Sequence, residues 1–506
     1  MKKKILLLVY ENECEHTLWI GNKLKDNGHE VNLIICDFYS FYGGQDYVLK
    51  KCYENGYEKK SIFNIRDELI EINKSEQDDS IDIDWEFLIN FEKKLKVPFI
   101  MNSVYTDFAF NNIYNPRDYF FVPRNKDIMV KLIELLCKKI DSVDIDSYDL
   151  VYSASTTCFC RNIIANLAEN LNIPIISLTQ RFYKITFLQD TYFKKTPQYF
   201  EDILEVDKLI KKFSKNYLEK KTDINNYWTL TFKKFLKNIF QFLKDNYKIH
   251  NIIKEDIKNR INFSRANYFY TKSTLYVKYT VIRDIFRNYL IFNICKKNLE
   301  NKLETIKSRK FIYFPLHLVP ETGVMNQKNF FDEYFLIQKV SKLLPLDYYL
   351  VVKPNPYAFN LYMNQYPIER YKKIDIIPNV VLVSPDIDHE LLLKRCKAVV
   401  SVSGSSSLEA LFYKKPGFLF SKTEFSDVNG IHLFNEETFF KIINEYNQAS
   451  FDDRDFKSYM ANVVKWGIEE LPENIIYSSK SKITNDHNMN LIHKKIVNIL
   501  EEKYLK

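Results

Sequence analysis

The stretch VVSVSGSSSLEALFYKKPGFLF, residues 399–420, carries the reading of the fold. An apolar run from Ala398 to Val402 passes through Ser403, Gly404, Ser405 and Ser406 into Ser407–Tyr413, which has helical spacing, and Pro416 to Phe420 is apolar again. Strand, helix and strand in so short a span is the unit from which helix-covered parallel sheets are built. The serine-rich junction has a chemical implication as well. Backbone N–H groups without intrahelical partners collect at a helix start, where the dipole adds partial positive charge, so a nucleotide phosphate suits the place. A local reading competes with it: Ser406 and Glu409 stand at capping-box spacing and would satisfy backbone donors themselves.

The same alternation continues on both sides. Lys310–Leu316, Asp347–Pro354 and Asn379–Pro385 read as strands, and Asn329–Leu344 and His389–Cys396 as helices. Near the start, Lys4–Tyr10 and Glu30–Cys36 read as strands around a Thr17–Asn27 helix that Gly28 stops. Asp149–Ala154, Cys158–Leu171 and Ile173–Thr179 repeat that unit. The pattern predicts an α/β protein of two Rossmann-like domains facing a cleft, with helical insertions. The expected division is residues 1–200 as an N-terminal domain with a helical insertion at about 45–145, 201–305 as a helical, Lys-rich segment, 306–487 as a C-terminal domain, and 488–506 as a final helix. Within the Lys-rich segment, Phe232, Phe235, Leu236, Ile239, Phe240 and Leu243 share one helical face opposite lysines. That face suits a core-facing helix or one lying on an anionic lipid surface.

Composition narrows the class. Of 506 residues, 46% are hydrophobic and 15% aromatic, with only 10 Gly and 15 Pro, so a chain folded nearly throughout is expected. The net charge of +8, from 73 basic and 65 acidic residues, is too mild for an obligate nucleic-acid binder, and no nucleic-acid partner is expected. The eight cysteines (Cys14, Cys36, Cys52, Cys137, Cys158, Cys160, Cys295 and Cys396) are scattered without CxxC pairs or metal-spaced histidines, as in free thiols of a reducing cytoplasm. The basic start MKKKILLLVYENECEH loses its apolar run at Glu11 and reads as a buried strand instead of a signal peptide. No window has the length of a membrane span. The expected location is cytoplasmic, peripheral at most to the inner face of the plasma membrane.

Open parallel sheets bind ligands at the carboxyl ends of their strands. There the C-terminal half places His317 and Glu321 after one strand, Lys353 and Asn355 after the next, and Ser403, Gly404, Ser405 and Ser406, with Glu409, after the strand of the opening stretch. Together they make one candidate site for a phosphate-bearing ligand. In the N-terminal half, Glu11, Glu13 and His16 follow the first strand, and Asp37, Gln180 and Arg181 follow others. Glu11 and Glu13 rank first as a general base for an acceptor hydroxyl. Three Asp-Ile-Asp triplets start at Asp82, Asp144 and Asp386. Such triplets arise easily in a chain rich in Ile and Asp, so no metal is expected. No GxGxxG opens either βαβ unit, and no dinucleotide or other cofactor is expected.

In the order YFPLHLVPETG, LLPLDYYLVVKPNP, PNVVLVSP and the opening stretch, the segment from Phe311 to Phe420 resembles the C-terminal half of bacterial capsule and surface-polysaccharide glycosyltransferases of GT-B type, the capsule polysaccharide biosynthesis family. The resemblance implies a C-terminal domain that binds a nucleotide-activated sugar and an N-terminal domain that holds the acceptor. It implies donor-phosphate contacts from Ser403, Ser405 and Ser406, a ribose or sugar contact from Glu409, and a His317–Glu321 loop that reaches toward the donor. One position departs from the family: where related enzymes often have Lys-x-His-Pro, this chain has Lys353-Pro354-Asn355-Pro356. An amide donates a hydrogen bond but cannot deliver a proton, so CMP-, UDP- and GDP-linked sugars all stay open as donors. The expected activity is metal-independent transfer of a sugar from such a donor to a glycan or lipid-linked acceptor of a capsule, lipopolysaccharide or O-antigen. The alternatives are a sugar-nucleotide epimerase, a polyol-phosphate transferase, or a nonenzymatic polysaccharide assembly protein.

Overall fold

The computed structural model describes residues 2–10, 13–36, 45–65, 82–95, 100–106, 122–123, 126–154, 159–181, 185–190, 269–270, 274–317, 332–356, 367–423, 425–445, 452–469, 475 and 478–505. The chain forms two compact units. Residues 1–193, 246–274 and 466–506 make the first, and residues 194–245 and 275–465 the second. The strands run in chain order β1 (Lys4–Val9), β2 (Glu30–Ile35), β3 (Ile62–Asn64), β4 (Val122–Pro123), β5 (Leu150–Ser153), β6 (Ile175–Arg181), β7 (Ile185–Asp190) and β8 (Phe269–Tyr270). They continue as β9 (Lys310–Pro315), β10 (Tyr348–Lys353), β11 (Val380–Leu382), β12 (Ala398–Ser401), β13 (Gly417–Leu419), β14 (Ile431–Leu433) and β15 (Ile468–Glu469).

The sheet of the first unit has the order β15-β7-β6-β5-β1-β2-β3. Its core, β6-β5-β1-β2-β3, is parallel, and β7 and β15 run antiparallel at one edge. The run ILLLV in β1 is buried on both faces, as a central parallel strand requires. Leu6 and Leu8 enter the core on one side together with Ile34, and Ile5, Leu7 and Val9 enter the other side with Leu33 and Ile35. The Cys14–Asp26 helix ends where expected. Gly28 takes φ +93°, and the N–H groups of Gly28 and His29 close back on the carbonyls of Lys25 and Leu24. A separate two-stranded ribbon joins β4 and β8.

The second unit has a six-stranded sheet in the order β11-β10-β9-β12-β13-β14, parallel throughout. In ordinal terms this is 3-2-1-4-5-6, the doubly wound order of dinucleotide-type folds. Phe311, Tyr313, Val351, Val399 and Leu392 share one of its cores. The expectation of an α/β protein with two Rossmann-like domains is met by these two sheets.

Three features differ from the sequence reading. The 45–145 region supplies the helices Gln45–Glu54, Trp85–Lys93, Ile100–Thr106 and Lys126–Asp141, but its Ile62–Asn64 segment is the edge strand β3, paired with Leu33–Ile35. Residues 466–506 return to the first unit, so the final helix, His487–Leu500, is part of that unit's core and no separate element. The helix of the opening stretch starts at Ser405, two residues early, and passes from α-helix at Glu409 to a 3₁₀ turn over Ala410–Tyr413. Of the Lys-rich segment, helices Thr274–Lys296 and Leu299–Ser308 are described, whereas the Phe232–Leu243 face lies outside the described residues. Among the described residues no helix is long and apolar enough to cross a membrane.

Candidate functional site

In the second unit the strand order reverses between β9 and β12, so their carboxyl-end loops are neighbours, and this is where doubly wound sheets take ligands. His317 lies two residues beyond β9. Its backbone N–H and its Nδ1 both reach one carboxylate oxygen, Glu333 Oε1, at 2.9 and 2.8 Å. A carboxylate only accepts, so Nδ1 carries the hydrogen. Glu333 is buried and opens the Glu333–Leu343 helix, whose N-cap Asp332 accepts the Tyr334 N–H at 2.9 Å and is ion-paired with Arg370. The ring is thereby oriented with Nε2 toward the β12 loop. A Cβ built on Gly404 would stand 2.9 Å from that nitrogen. Gly404 has φ −75°, open to any residue, so the glycine is required by the close approach of the two loops and by no backbone strain.

The β12 turn is pinned by hydroxyls. Ser407 Oγ donates to the Phe418 carbonyl at 3.2 Å and accepts from Ser401 Oγ at 2.8 Å, and Ser401 Oγ receives the Gly404 N–H at 3.2 Å. Beneath it runs a second chain. Ser405 Oγ donates to Glu409 Oε1 at 3.0 Å, and Glu409 Oε2 accepts from His389 Nε2 at 2.8 Å. His389 Nδ1, left as an acceptor, receives the Tyr313 hydroxyl at 2.9 Å. Burial, and after it the Glu409 carboxylate, hold the Tyr313 phenol well above its ordinary value, so it remains a donor. The capping-box expectation is corrected by this arrangement. Gly404 is the N-cap and has no side chain to cap with, and Glu409 accepts from His389 through one oxygen and from Ser405 through the other.

The remaining candidates of this unit fall close by. Lys353 ends β10 and is 3% exposed, and its carbonyl accepts the Leu316 N–H at 2.8 Å, which ties the exits of β9 and β10 together. Asn355, Ser403 and Ser406 are half-buried and Ser405 is exposed. Glu321 lies outside the described residues. Sequence reasoning missed Glu333, His389 and Tyr313 as members of the site, because each is tied to it only by a partner distant in the chain.

The first unit has its own reversal, between β1 and β5. There Glu13 faces Arg161: Nη1 donates to Oε1 at 3.3 Å and Nη2 pairs with Oε2. Both side chains are buried, and the guanidinium lies 3.6 Å from the Tyr10 ring centroid. His16 is fully buried, with Nδ1 3.0 Å from His493 Nε2 and Nε2 2.8 Å from the Tyr152 hydroxyl. Burial, and after it His493, push His16 well below the usual histidine range. Glu11 and Asp37 lie outside the described residues, and Gln180 and Arg181 are described only as part of β6.

The Asp-Ile-Asp triplets have structural work. Asp84 caps the Trp85–Lys93 helix and pairs with Lys138, Asp388 caps the His389–Arg395 helix, Asp386 pairs with Lys296, and Asp144 starts a 3₁₀ turn at φ 52°. Among the described residues no group of three or more His, Cys, Asp or Glu is placed to hold a metal ion. The seven described cysteines are buried and unbridged, and Cys158 lies outside the described residues.

No family model matches the chain, and no curated protein matches it. Among solved structures it is similar to KpsC of Thermosulfurimonas dismutans, a beta Kdo 2,7 transferase, at 12% identity over 37% of this chain and 57% of that one, with a TM-score of 0.22. It is similar to UDP-GlcNAc 2-epimerase from Neisseria meningitidis, bound to UDP-GlcNAc, at 11% identity over 91% and 98%, with a TM-score of 0.23. HepE of Anabaena, in complex with UDP and glucose, matches at 12% identity over 98% and 99%, with a TM-score of 0.22. Likenesses this remote leave the chemistry of this chain to its own residues.

Proposed function

We propose that the chain is a metal-independent glycosyltransferase of GT-B type whose second unit binds a nucleotide-activated sugar and whose first unit serves the acceptor, a surface glycan or its lipid-linked precursor. The observation that supports this most is the meeting of His317 with the Gly404 turn at the strand-order reversal. A glycine at the contact lets backbone amides approach a ligand phosphate, and the protonated form of an imidazole held at Nδ1 by a carboxylate can donate from Nε2 to that phosphate and stabilise the charge that develops as it leaves. In this reading Lys353 adds positive charge at the neighbouring strand end, and Asn355 donates an amide hydrogen without delivering a proton. Ser403 and Ser406 contact the phosphate, while Glu409 orders Ser405. Glu11 and Glu321 are the acceptor-side and donor-loop carboxylates, and Glu13, with both oxygens on Arg161, acts by holding that guanidinium in place.

The reading is tested by thermal-shift measurements with CMP, UDP, GDP and their sugars, followed by product analysis with a glycan acceptor. Stabilisation by one nucleotide, weakened in His317→Ala, together with release of that nucleotide only in the presence of acceptor, supports it. Absence of any nucleotide-induced shift overturns it, and conversion of the free nucleotide sugar without an acceptor replaces transfer by epimerisation.

A further inference from the structure

One buried cluster connects three elements of the first unit. His493, on the His487–Leu500 helix, donates from Nδ1 to the Met489 carbonyl at 2.8 Å, so its Nε2 is an acceptor. His16 Nδ1, 3.0 Å away on the Cys14–Asp26 helix, must therefore carry a hydrogen, which makes His16 Nε2 the acceptor for the Tyr152 hydroxyl of β5 at 2.8 Å. Every hydrogen in the row from Tyr152 to Met489 is thus assigned, and both rings are neutral. The Trp19 indole closes the far side, edge-on to His493 at 5.4 Å between centroids.

A single proton taken up by the row would put a hydrogen on His16 Nε2 and turn the Tyr152 hydroxyl from donor to acceptor, and with both rings charged His493 Nε2–H would face His16 Nδ1–H, donor against donor. Burial outweighs what compensation there is: burial and then His493 lower His16, burial lowers His493 against the smaller opposing effect of the Met489 carbonyl, and the nearby Glu13 and Arg161 act on Tyr152 with opposite signs.

We propose that the Tyr152–His16–His493 row is an acid-released latch, which holds the His487–Leu500 helix on the first unit while both rings are neutral and frees it when they take up protons from solvent. The inference rests on no assumption about the donor site. An opening that exposes both rings becomes about 100-fold more favourable between pH 7.5 and 5.5, and about tenfold with one ring, taking the usual histidine value of about 6.5 for the exposed state. Amide hydrogen exchange of the full chain, corrected for the intrinsic rate at each pH, reads this directly. Residues 487–500 should lose about 100-fold in protection while β1 keeps its own, and His493→Gln should reduce the loss to about tenfold. The wild-type comparison carries the test without any variant. Unchanged protection of 487–500 at pH 5.5, an equal loss in β1, or full wild-type pH dependence in His493→Gln would each overturn the latch.

Discussion

Replacement of Arg161 by Met is the sharpest probe of the first unit's strand-order reversal. The substitution preserves most of the side-chain volume but leaves the Glu13 carboxylate buried without its guanidinium, and it removes the cation from the face of Tyr10. Breaking one side of a buried ion pair costs about 3–5 kcal/mol, because the remaining charge stays desolvated. Loss of the cation–π contact accounts for about 1–2 kcal/mol of that. The opening constant of the unit should rise by about two to four orders of magnitude. Because a two-unit chain does not unfold in one step, the suitable assay is hydrogen exchange of β1 and β5, the strands followed by the helices that carry Glu13 as N-cap and Arg161. The double variant Glu13→Leu with Arg161→Met removes both charges and should recover most of the loss, since a well-packed apolar pair replaces a buried salt bridge at little net cost. A single variant within about 1 kcal/mol of wild type, or a double variant no better than the single, would refute the reasoning.

Three further outcomes follow from other parts of the molecule. Gly404→Ala places a methyl 2.9 Å from His317 Nε2, so the ring must turn away from Glu333; about 1–3 kcal/mol of local stability should be lost, seen as faster exchange in β9 and β12, with ligand binding falling further than stability does. Gly417→Ala sets a Cβ 2.5 Å from the Ser407 carbonyl and 2.8 Å from Ile431, and should cost a similar amount, seen as faster exchange in β13 and β14. Burial pushes the thiols of Cys52 and Cys396 up to about 12 and raises Cys137 and Cys295 as well, so an aromatic disulfide reagent at pH 8 should leave these four untouched until the protein is unfolded. Rapid labelling of any of them in the native protein would contradict their burial.

The central strands were legible because parallel strands buried on both faces read as unbroken apolar runs, and ILLLV and FIYF are such runs. Three of the edge strands were not. Strands β3, β14 and β15 have three, three and two residues, too few for any period, and each pairs along one side only with a neighbouring strand. The candidate site was legible as a set of strand ends but not as a set of bonds. Ser406 and Glu409 have the spacing of a cap, yet a buried carboxylate gains more from the charge-assisted bond to His389, 20 residues away, than from an exposed amide. His16 and Glu13 followed a strand end like candidate bases, and only His493, 477 positions on, and Arg161, 148 positions on, show how they are held.

The most direct measurement is calorimetric titration of CMP, UDP and GDP into the wild-type chain and into His317→Ala and Gly404→Ala. One nucleotide should bind the wild type and bind each variant at least about tenfold more weakly, a loss of about 1.4 kcal/mol or more. Binding of no nucleotide by the wild type, or equal binding by all three proteins, would contradict a donor site at the meeting of β9 and β12.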